Sequence, residues 1–257
     1  MNEEIDIKTK RLVAMLVRED LDAVLLNAQH NFVWLTAGGT NGVDHSRENG
    51  VASLLVTRDG RRFVLASNIE IERMVSEEVS ADEFVAIDYS WQDEKANGGL
   101  VIDKAMSVLP ANAKLATDIQ IDAHTPAIES KVAACRHQLT DSEKDRYRLL
   151  GRDAGAAMGR TIKSIAPGET EIGIAETLRH ELGIDGINSV VTLVAGDARI
   201  SQFRHPVPTQ NRWKNVVLLV TCAKRAGLIA SLSRIVCVGE IPEELRKPGS
   251  SQLTVSR

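Results

Sequence analysis

Cysteines are few in this sequence and lie far apart. Cys135, Cys222 and Cys237 give an odd count and include no Cys-x-x-Cys pair. This pattern favours neither a disulfide framework nor a structural zinc site. The N-terminus is charged and amphipathic, and it lacks the apolar core and small-residue cleavage site of a signal peptide. Together, these absences predict a cytoplasmic protein.

Long apolar runs and an excess of basic charge are also missing. No apolar stretch approaches the roughly 18 residues that a membrane-spanning helix needs. The net charge is −4 and the two signs are interspersed, so nothing in the charge favours nucleic acid or an anionic membrane surface. Trp34, Trp91 and Trp213 are too widely separated to suggest a base-stacking surface. We therefore expect neither a nucleic-acid partner nor a membrane partner.

Glycine-rich phosphate loops are absent from the first half of the chain, where strand-like and helix-like segments alternate. Neither GxGxxG nor GxxxxGK[ST] follows a predicted strand, which argues against nucleotide binding. DAVLLN at residues 22–27 indicates a buried strand. Residues 51–57 and 61–67 indicate a hairpin, in which Asp59-Gly60 supplies the positive φ angles of a tight turn. The alternation predicts an α/β domain with a largely buried, mixed sheet.

A long helix and a β-hairpin dominate the second half of the chain. Thr140 or Asp141 can cap a helix of about 25 residues, which Pro167-Gly168 separates from a second helix starting at Thr170. Residues 187–194 and 216–238 then have the apolar pattern of strands.

Several segments, taken in order, carry a family resemblance. They are LVREDLDAVLLNAQHNFVWLTAGG, SEKDRYRLLGRDAGAAM, IAPGETEIGIAETL, AGDARISQFRHPVP and the hairpin after His205. In this order they resemble the pita-bread hydrolases, which include Xaa-Pro aminopeptidases, prolidases, methionine aminopeptidases and creatinase. The resemblance covers essentially residues 10–240.

The resemblance implies a fold and a domain division. Residues 1–137 would form a creatinase- or prolidase-like N-terminal α/β domain, and residues 138–245 the first half of an α+β pita-bread catalytic domain. The polar tail at residues 246–257 is interpreted as disordered or non-native. The family's downstream histidine and glutamates have no counterpart, so we expect an incomplete catalytic domain from a truncated chain. The family also implies a homodimer.

The same resemblance addresses metal binding. In the metallopeptidase branch, two aspartates of the hairpin bridge two divalent cations. Their positions match Val220 and Ser231, or Thr221 if the first is shifted by one residue. A valine cannot ligate a metal, and neutral hydroxyls are poor substitutes for bridging carboxylates. Residues 215–239 contain no Asp, Glu or His, so we expect no metal and no other cofactor.

His205 is the candidate catalytic residue. It matches the family histidine that lies beside the substrate, and creatinase uses such a histidine without a metal. A histidine near its ordinary pKa can exchange protons at neutral pH. The resemblance therefore implies a metal-independent, creatinase-like hydrolase of an amide or amidine C–N bond in a small molecule. By the same resemblance, Asp44 and His45 could bind substrate in the neighbouring subunit's site.

Two other functions remain open from the sequence. One is an Xaa-Pro aminopeptidase or dipeptidase that uses metal and a peptide substrate. The other is a non-catalytic family member that dimerises or binds a ligand. His205 would then be an ordinary loop histidine before Pro206, as His180 is an ordinary surface histidine on its helix.

Overall fold

The computed structural model describes residues 2–240 and the backbone of residues 253–256. The chain forms two compact units, Met1–Glu143 and Lys144–Arg257, and the boundary expected at residue 137 precedes this division. The tail expected at residues 246–257 lies outside the described residues, apart from the short strand Leu253–Ser256. Each unit has its own hydrophobic core, as separate domains do.

The first unit is an α/β structure on a five-stranded sheet. Its strands are β1 (Ala23–Ala28), β2 (Asn49–Thr57), β3 (Arg62–Ser67), β4 (Val85–Tyr89) and β5 (Leu115–Thr117). Its helices are α1 (Glu3–Arg18), α2 (Gln29–Leu35), α3 (Ile71–Arg73, continued by a π-helical turn at Met74–Glu78), α4 (Trp91–Ala96), α5 (Leu100–Met106) and α6 (Glu129–Arg136). The strand order is β4-β3-β2-β1-β5, with β1–β2 and β2–β3 antiparallel and β1–β5 and β3–β4 parallel. The mixed sheet predicted from the sequence is confirmed.

Both faces of this sheet are covered, which explains why its central strands are continuous apolar runs. Val24 and Leu26 of β1 lie in one core cluster, whereas Ala23 and Leu25 lie in another. Neighbouring side chains of a strand point to opposite faces, so one short run serves two cores.

The turn between β2 and β3 differs in one detail from the prediction. Only Gly60 has a positive φ, of 85°, and Asp59 does not. The Thr57 amide donates to the Arg61 carbonyl at 3.0 Å, so the turn is wider than a two-residue hairpin loop. The carboxylate of Asp59 instead accepts hydrogen bonds from the Thr57 hydroxyl and from Arg61.

A buried cation links α1 to the start of α7 (Asp141–Ser164). The Lys8 ammonium lies 2.5 Å from a carboxylate oxygen of Glu4 and 2.9 Å from one of Glu143, and it donates to the Trp34 carbonyl at 2.6 Å. Glu143 also accepts from the Thr140 amide at 2.8 Å, while the Thr140 hydroxyl accepts from the Glu143 amide at 3.2 Å. This reciprocal arrangement is a capping box, so Thr140 caps α7.

The second unit has the helices α7, α8 (Glu171–Ile184) and α9 (Arg199–Gln202). Its strands are β6 (Asn188–Gly196), β7 (Val216–Arg225), β8 (Leu228–Val238) and β9 (Leu253–Ser256). The strand order is β6-β7-β8-β9, antiparallel except for the parallel pair β8–β9. Thr170 caps α8, because its side chain accepts from the Gly173 amide at 3.1 Å.

Helices α7 and α8 share a core with one face of this sheet, here called the inner face. Ala154 and Met158 of α7, Leu178 of α8 and Leu219 of β7 all belong to that core. The opposite, outer face is more open, since Val191 is 40% and Ile229 is 42% exposed. Segregation of helices to one face of a largely antiparallel sheet is an α+β arrangement.

Candidate functional site

The β7–β8 hairpin carries the positions at which the sequence resemblance expects metal ligands. Val220 is paired with Ser233, and Cys222 is paired with Ser231. Residues paired across an antiparallel ladder share a face, as do alternate residues of one strand. Val220 and Ser231 therefore lie on the same, outer face of the sheet, in adjacent pairs rather than directly opposite each other. Two side chains on one face could contribute to one metal site. However, the side chain of Val220 is a hydrocarbon and that of Ser231 is a neutral hydroxyl.

Thr221, the alternative position, faces the other way. It is completely buried, and its hydroxyl lies 2.7 Å from the hydroxyl of Ser189. Ser189 also lies 2.6 Å from the hydroxyl of Thr192. Thr221 is thus part of a partly buried hydroxyl cluster on the inner face, and it does not point to the face that holds Val220 and Ser231.

The hairpin region does not fit a pair of divalent cations. No Asp or Glu occurs between Asp197 and Glu240. Across residues 2–240, no group of three or more His, Cys, Asp or Glu side chains could hold a metal ion. The charges between those two acidic residues are all cationic, on Arg199, Arg204, Arg212, Lys214, Lys224, Arg225 and Arg234. Two adjacent divalent cations need carboxylates that offset their charge, and this segment offers the opposite sign.

His205 lies on an exposed stretch of residues 197–210, here called the His205 loop. The imidazole is exposed, and it makes no hydrogen bond or ion pair with any described residue. Pro206 beside it is buried, whereas Phe203 is 49% and Val207 is 67% exposed. The imidazole is therefore free to meet a ligand from solvent, and its neighbours offer both apolar surface and the cation of Arg204.

A buried carboxylate holds the ends of this loop. Glu171, the first residue of α8, is fully buried. Its Oε1 accepts from the Gly196 amide at 3.0 Å and from the Asn211 side-chain amide at 2.9 Å. Its Oε2 accepts from the Thr209 amide at 3.0 Å and from the Thr209 hydroxyl at 2.8 Å. Gly196 precedes the loop, whereas Thr209 and Asn211 lie at its far end.

Arg199 connects the same carboxylate to the middle of the loop. Its Nε lies 3.0 Å from Oε1 of Glu171, and its terminal nitrogen donates to the Val207 carbonyl at 3.0 Å. The guanidinium also lies over the ring of Phe203, 5.1 Å from the centroid. One arginine thus joins Glu171 to residues on both sides of His205.

Asp197 holds the start of the loop against the chain that enters β7. Its φ is +52°, and its carboxylate accepts from the backbone amides of Lys214, Asn215 and Val216 at 2.8 to 3.1 Å. In return, the Asp197 amide donates to the Val216 carbonyl at 2.8 Å. Asp tolerates a positive φ better than most residues because its side chain can bond to nearby backbone, as it does here.

Gly196 is needed for a close approach to Trp213. A Cβ at position 196 would lie 2.7 Å from the Trp213 Cβ and 3.0 Å from its Cα. Trp213 is completely buried in the core of the second unit, and its carbonyl accepts from the Gly168 amide at 2.9 Å. The absence of a side chain at Gly196 thus lets the strand end, Trp213 and Glu171 meet in one place.

The environment of Glu171 favours its ionised form. Burial raises the pKa of a carboxyl group, but the hydrogen bonds from Gly196, Asn211 and Thr209 outweigh burial and lower the pKa of Glu171 below its ordinary value. The group therefore acts as a permanent buried anion at neutral pH. Arg199 supplies the compensating charge.

Asp44 and His45 lie in an exposed loop of the first unit. Oδ1 of Asp44 accepts from the Ser46 hydroxyl at 2.6 Å and from the Ser46 amide at 3.0 Å, which lowers the pKa of Asp44. The Gln29 side chain tethers the loop by donating to the Asp44 and Arg47 carbonyls, each at 2.9 Å. The Asp44 carboxylate thus stabilises the turn in which it lies, while the His45 ring has no partner among the described residues. Substrate binding by this pair stays a prediction.

The residues that sequence reasoning missed are Glu171, Arg199 and Thr209. A signal for Glu171 was present, since it is the second glutamate of the PGETE segment that carried the resemblance. His180 is exposed on α8, as expected, and so are His124 and His137. His30 differs, because its Nε2 lies 3.0 Å from Oε1 of Glu129.

Comparison with solved structures gives extensive matches. An Xaa-Pro dipeptidase from Bacillus anthracis has a TM-score of 0.67 and 18% identity, covering 93% of this chain and 66% of its own. The prolidase from Pyrococcus horikoshii has a TM-score of 0.66 and 18% identity, with 92% of this chain and 66% of the prolidase covered. An X-Pro aminopeptidase from Thermotoga maritima has a TM-score of 0.65 and 16% identity, with 93% of this chain and 67% of the aminopeptidase covered.

The chain has the fold of the Xaa-Pro peptidases. The predicted resemblance and the predicted fold class are thus confirmed at the level of fold. The chain spans just under two thirds, 66%, of the length of the first two of these Xaa-Pro peptidase structures. Neither a scan against models of protein families nor a search of curated proteins finds a match.

Membrane insertion has no candidate segment in the described part of the chain. None of the helices there combines the length and the apolar character that crossing a bilayer requires.

Proposed function

We propose that this chain is a metal-independent hydrolase of a C–N bond, of the amide or amidine type, in a small molecule or short peptide. One observation carries the proposal. An exposed imidazole, His205, lies on a loop that Glu171 and Arg199 hold in place, while the adjacent hairpin supplies no carboxylate for a metal. The Xaa-Pro peptidase fold supports the reaction class, because the similar structures are named as dipeptidases, prolidases and aminopeptidases.

His205 would act as the acid–base group. As a neutral imidazole, it would accept a proton from water while the water oxygen bonds to the substrate carbon. As an imidazolium, it would then donate that proton to the leaving nitrogen as the C–N bond breaks. The imidazole ends the cycle as it began, and one water molecule is consumed. A histidine is suited to both roles at neutral pH.

A metal-dependent Xaa-Pro dipeptidase or aminopeptidase is the second candidate. The names of the similar structures favour a peptide substrate. Against the metal stand Val220 and Ser231 at the two positions that would have to be aspartates, and the cationic character of the surrounding segment. These residues do not fit the metal pair, so no step of the proposed reaction uses one.

A non-catalytic role in dimerisation or ligand binding is the third. The lack of any Asp, Glu or His at residues 215–239 supports such a role. We also propose a homodimer in which Asp44 and His45 contact substrate.

The three cysteines are free, which supports a cytoplasmic site of action.

Measuring turnover by matched histidine variants distinguishes the metal-independent hydrolase, the metallopeptidase and the non-catalytic role. An Ala-Pro dipeptide and creatine serve as probes, with chelator-treated wild-type protein, His205→Ala and the surface control His180→Ala. The proposal expects turnover of at least one probe without metal, a loss of kcat/KM of about 10²- to 10⁴-fold in His205→Ala, and no change in His180→Ala. Turnover that returns only on adding Mn²⁺ or Zn²⁺ would support the metallopeptidase. Turnover that is unaffected in His205→Ala would refute the role of His205, and no turnover under any condition would support the non-catalytic role.

A further inference from the structure

We propose that Glu171 is the positioning residue for His205 and acts as a buried anion that closes the His205 loop. The inference rests on the proposed role of His205 in the function above. It concerns a residue that never meets substrate and acts only through the loop.

The groups that contact the Glu171 carboxylate, three as hydrogen-bond donors and Arg199 as an ion-pair partner, come from both sides of the loop. Gly196 and Arg199 precede His205 in sequence, whereas Thr209 and Asn211 follow it. Oε1 accepts hydrogen bonds from the Gly196 backbone amide at 3.0 Å and from the Asn211 side-chain amide at 2.9 Å. Two residues on opposite sides of the loop therefore bind to one oxygen atom. Oε2 accepts hydrogen bonds from the backbone amide and from the hydroxyl of Thr209. The carboxylate therefore fixes the distance between the two ends of the loop.

The loop has few other restraints near its tip. Phe203, Arg204, His205 and Val207 are all exposed. Pro206 is buried beside His205, and Arg199 contacts the Val207 carbonyl and the Phe203 ring. The Nε of Arg199 in turn lies 3.0 Å from Oε1 of Glu171. The position of the imidazole thus depends on the carboxylate through two routes, one through the loop ends and one through the guanidinium.

Only a glutamate satisfies this set of donors. Every group that faces the two carboxylate oxygens is an N–H or an O–H. A glutamine would place its own NH₂ group against donors whichever way its amide is turned, either against Thr209 or against Gly196 and Asn211. An aspartate keeps the charge but is shorter by one methylene, so it cannot reach all donors at once.

The test uses two readouts that need no substrate. Trypsin can cut after Arg204, which is exposed within the loop, and the imidazole signals of ¹³C-histidine-labelled protein report on His205. Glu171→Gln is compared with Glu169→Gln, a neighbouring glutamate whose side chain accepts only from the Ala166 amide, at 2.7 Å. The expected result is cleavage at Arg204 at least about tenfold faster in Glu171→Gln, the factor that corresponds to about 1.4 kcal/mol of lost restraint. The His205 signal should also shift or broaden, with the circular dichroism spectrum unchanged. Glu169→Gln should match the wild type in both readouts.

Equal cleavage rates and an unchanged His205 signal in Glu171→Gln would overturn the proposal. If Glu171→Gln does not fold, Thr209→Val decides, because it removes one hydroxyl donor and keeps the backbone amide. We then expect a smaller increase in cleavage and a smaller shift of the His205 signal, and no change would overturn the proposal. These readouts are independent of turnover. If His205→Ala keeps its activity while Glu171→Gln releases the loop, the proposed function fails and the positioning role stands.

Discussion

The backbone amide of Gly196 donates to Oε1 of Glu171 at 3.0 Å, and both residues are buried. This bond joins the last residue of β6 to the first residue of α8. The same carboxylate binds the far end of the His205 loop through Thr209 and Asn211. The strand, the helix and the loop that carries the candidate catalytic residue are therefore organised around one buried charge.

The pH dependence of stability should show this charge. The pKa of Glu171 is lower in the folded chain than its ordinary value of 4.5, so its contribution is fully present above about pH 4.5 and is lost as the pH falls through the lower folded-state pKa. The difference in unfolding free energy between wild type and Glu171→Gln should be constant near neutral pH and shrink in acid. Urea unfolding at a series of pH values measures it. A difference that grows toward low pH would contradict the assignment.

Gly196→Ala should destabilise the second unit. The new methyl group would lie 2.7 Å from the Trp213 Cβ and 3.0 Å from its Cα, and the Cα belongs to backbone that cannot move aside easily. We expect a loss of about 1–3 kcal/mol, as for other overpacked sites. Gly151→Ala is the matched control, because nothing lies within 4 Å of a Cβ there and the residue is exposed in α7. Alanine should stabilise that helix by up to about 1 kcal/mol. Equal effects of the two changes in thermal unfolding would refute the close approach.

Lys8→Met should destabilise the first unit. Lys8 is fully buried and forms ion pairs with the carboxylates of Glu4 and Glu143, so its removal breaks a buried ion-pair network. The expected loss is about 3–5 kcal/mol. Lys10→Met, on the exposed side of the same helix, should change stability by less than about 0.5 kcal/mol. Urea unfolding followed by tryptophan fluorescence would test both, since Trp34 lies over the Lys8 ammonium at 5.4 Å. A Lys8→Met chain as stable as the wild type would show that the ion pairs contribute nothing.

Most of the fold was predictable because its signals are local. The apolar run at β1 and the turn residues Asp59-Gly60 define elements by periodicity and turn chemistry. Thr140 and Glu143 formed a readable capping box, although the sequence left Thr140 and Asp141 as alternatives. Short elements such as α4 and α9 have too few residues to show a period, and they were not predicted.

The candidate site was less predictable because its contacts are long-range. His205 could be identified through the resemblance, and the missing carboxylates could be read directly from residues 215–239. The role of Glu171 depends on donors 25 to 40 residues away, at Gly196 and Asn211. No spacing rule in a single sequence reveals such a meeting. Likewise, the register of β7 and β8 was needed to show that Val220, and not Thr221, shares a face with Ser231.

The metal content of the purified chain tests the central claim most directly. The protein would be equilibrated with Mn²⁺, Co²⁺ or Zn²⁺, passed into metal-free buffer and analysed by atomic emission. Because the sequence resemblance matches Val220 and Ser231 to the positions of the bridging carboxylates, and no acidic residue lies between Asp197 and Glu240, we expect substoichiometric metal in every case. About two equivalents per chain, the content of a two-metal hydrolase, would contradict the account.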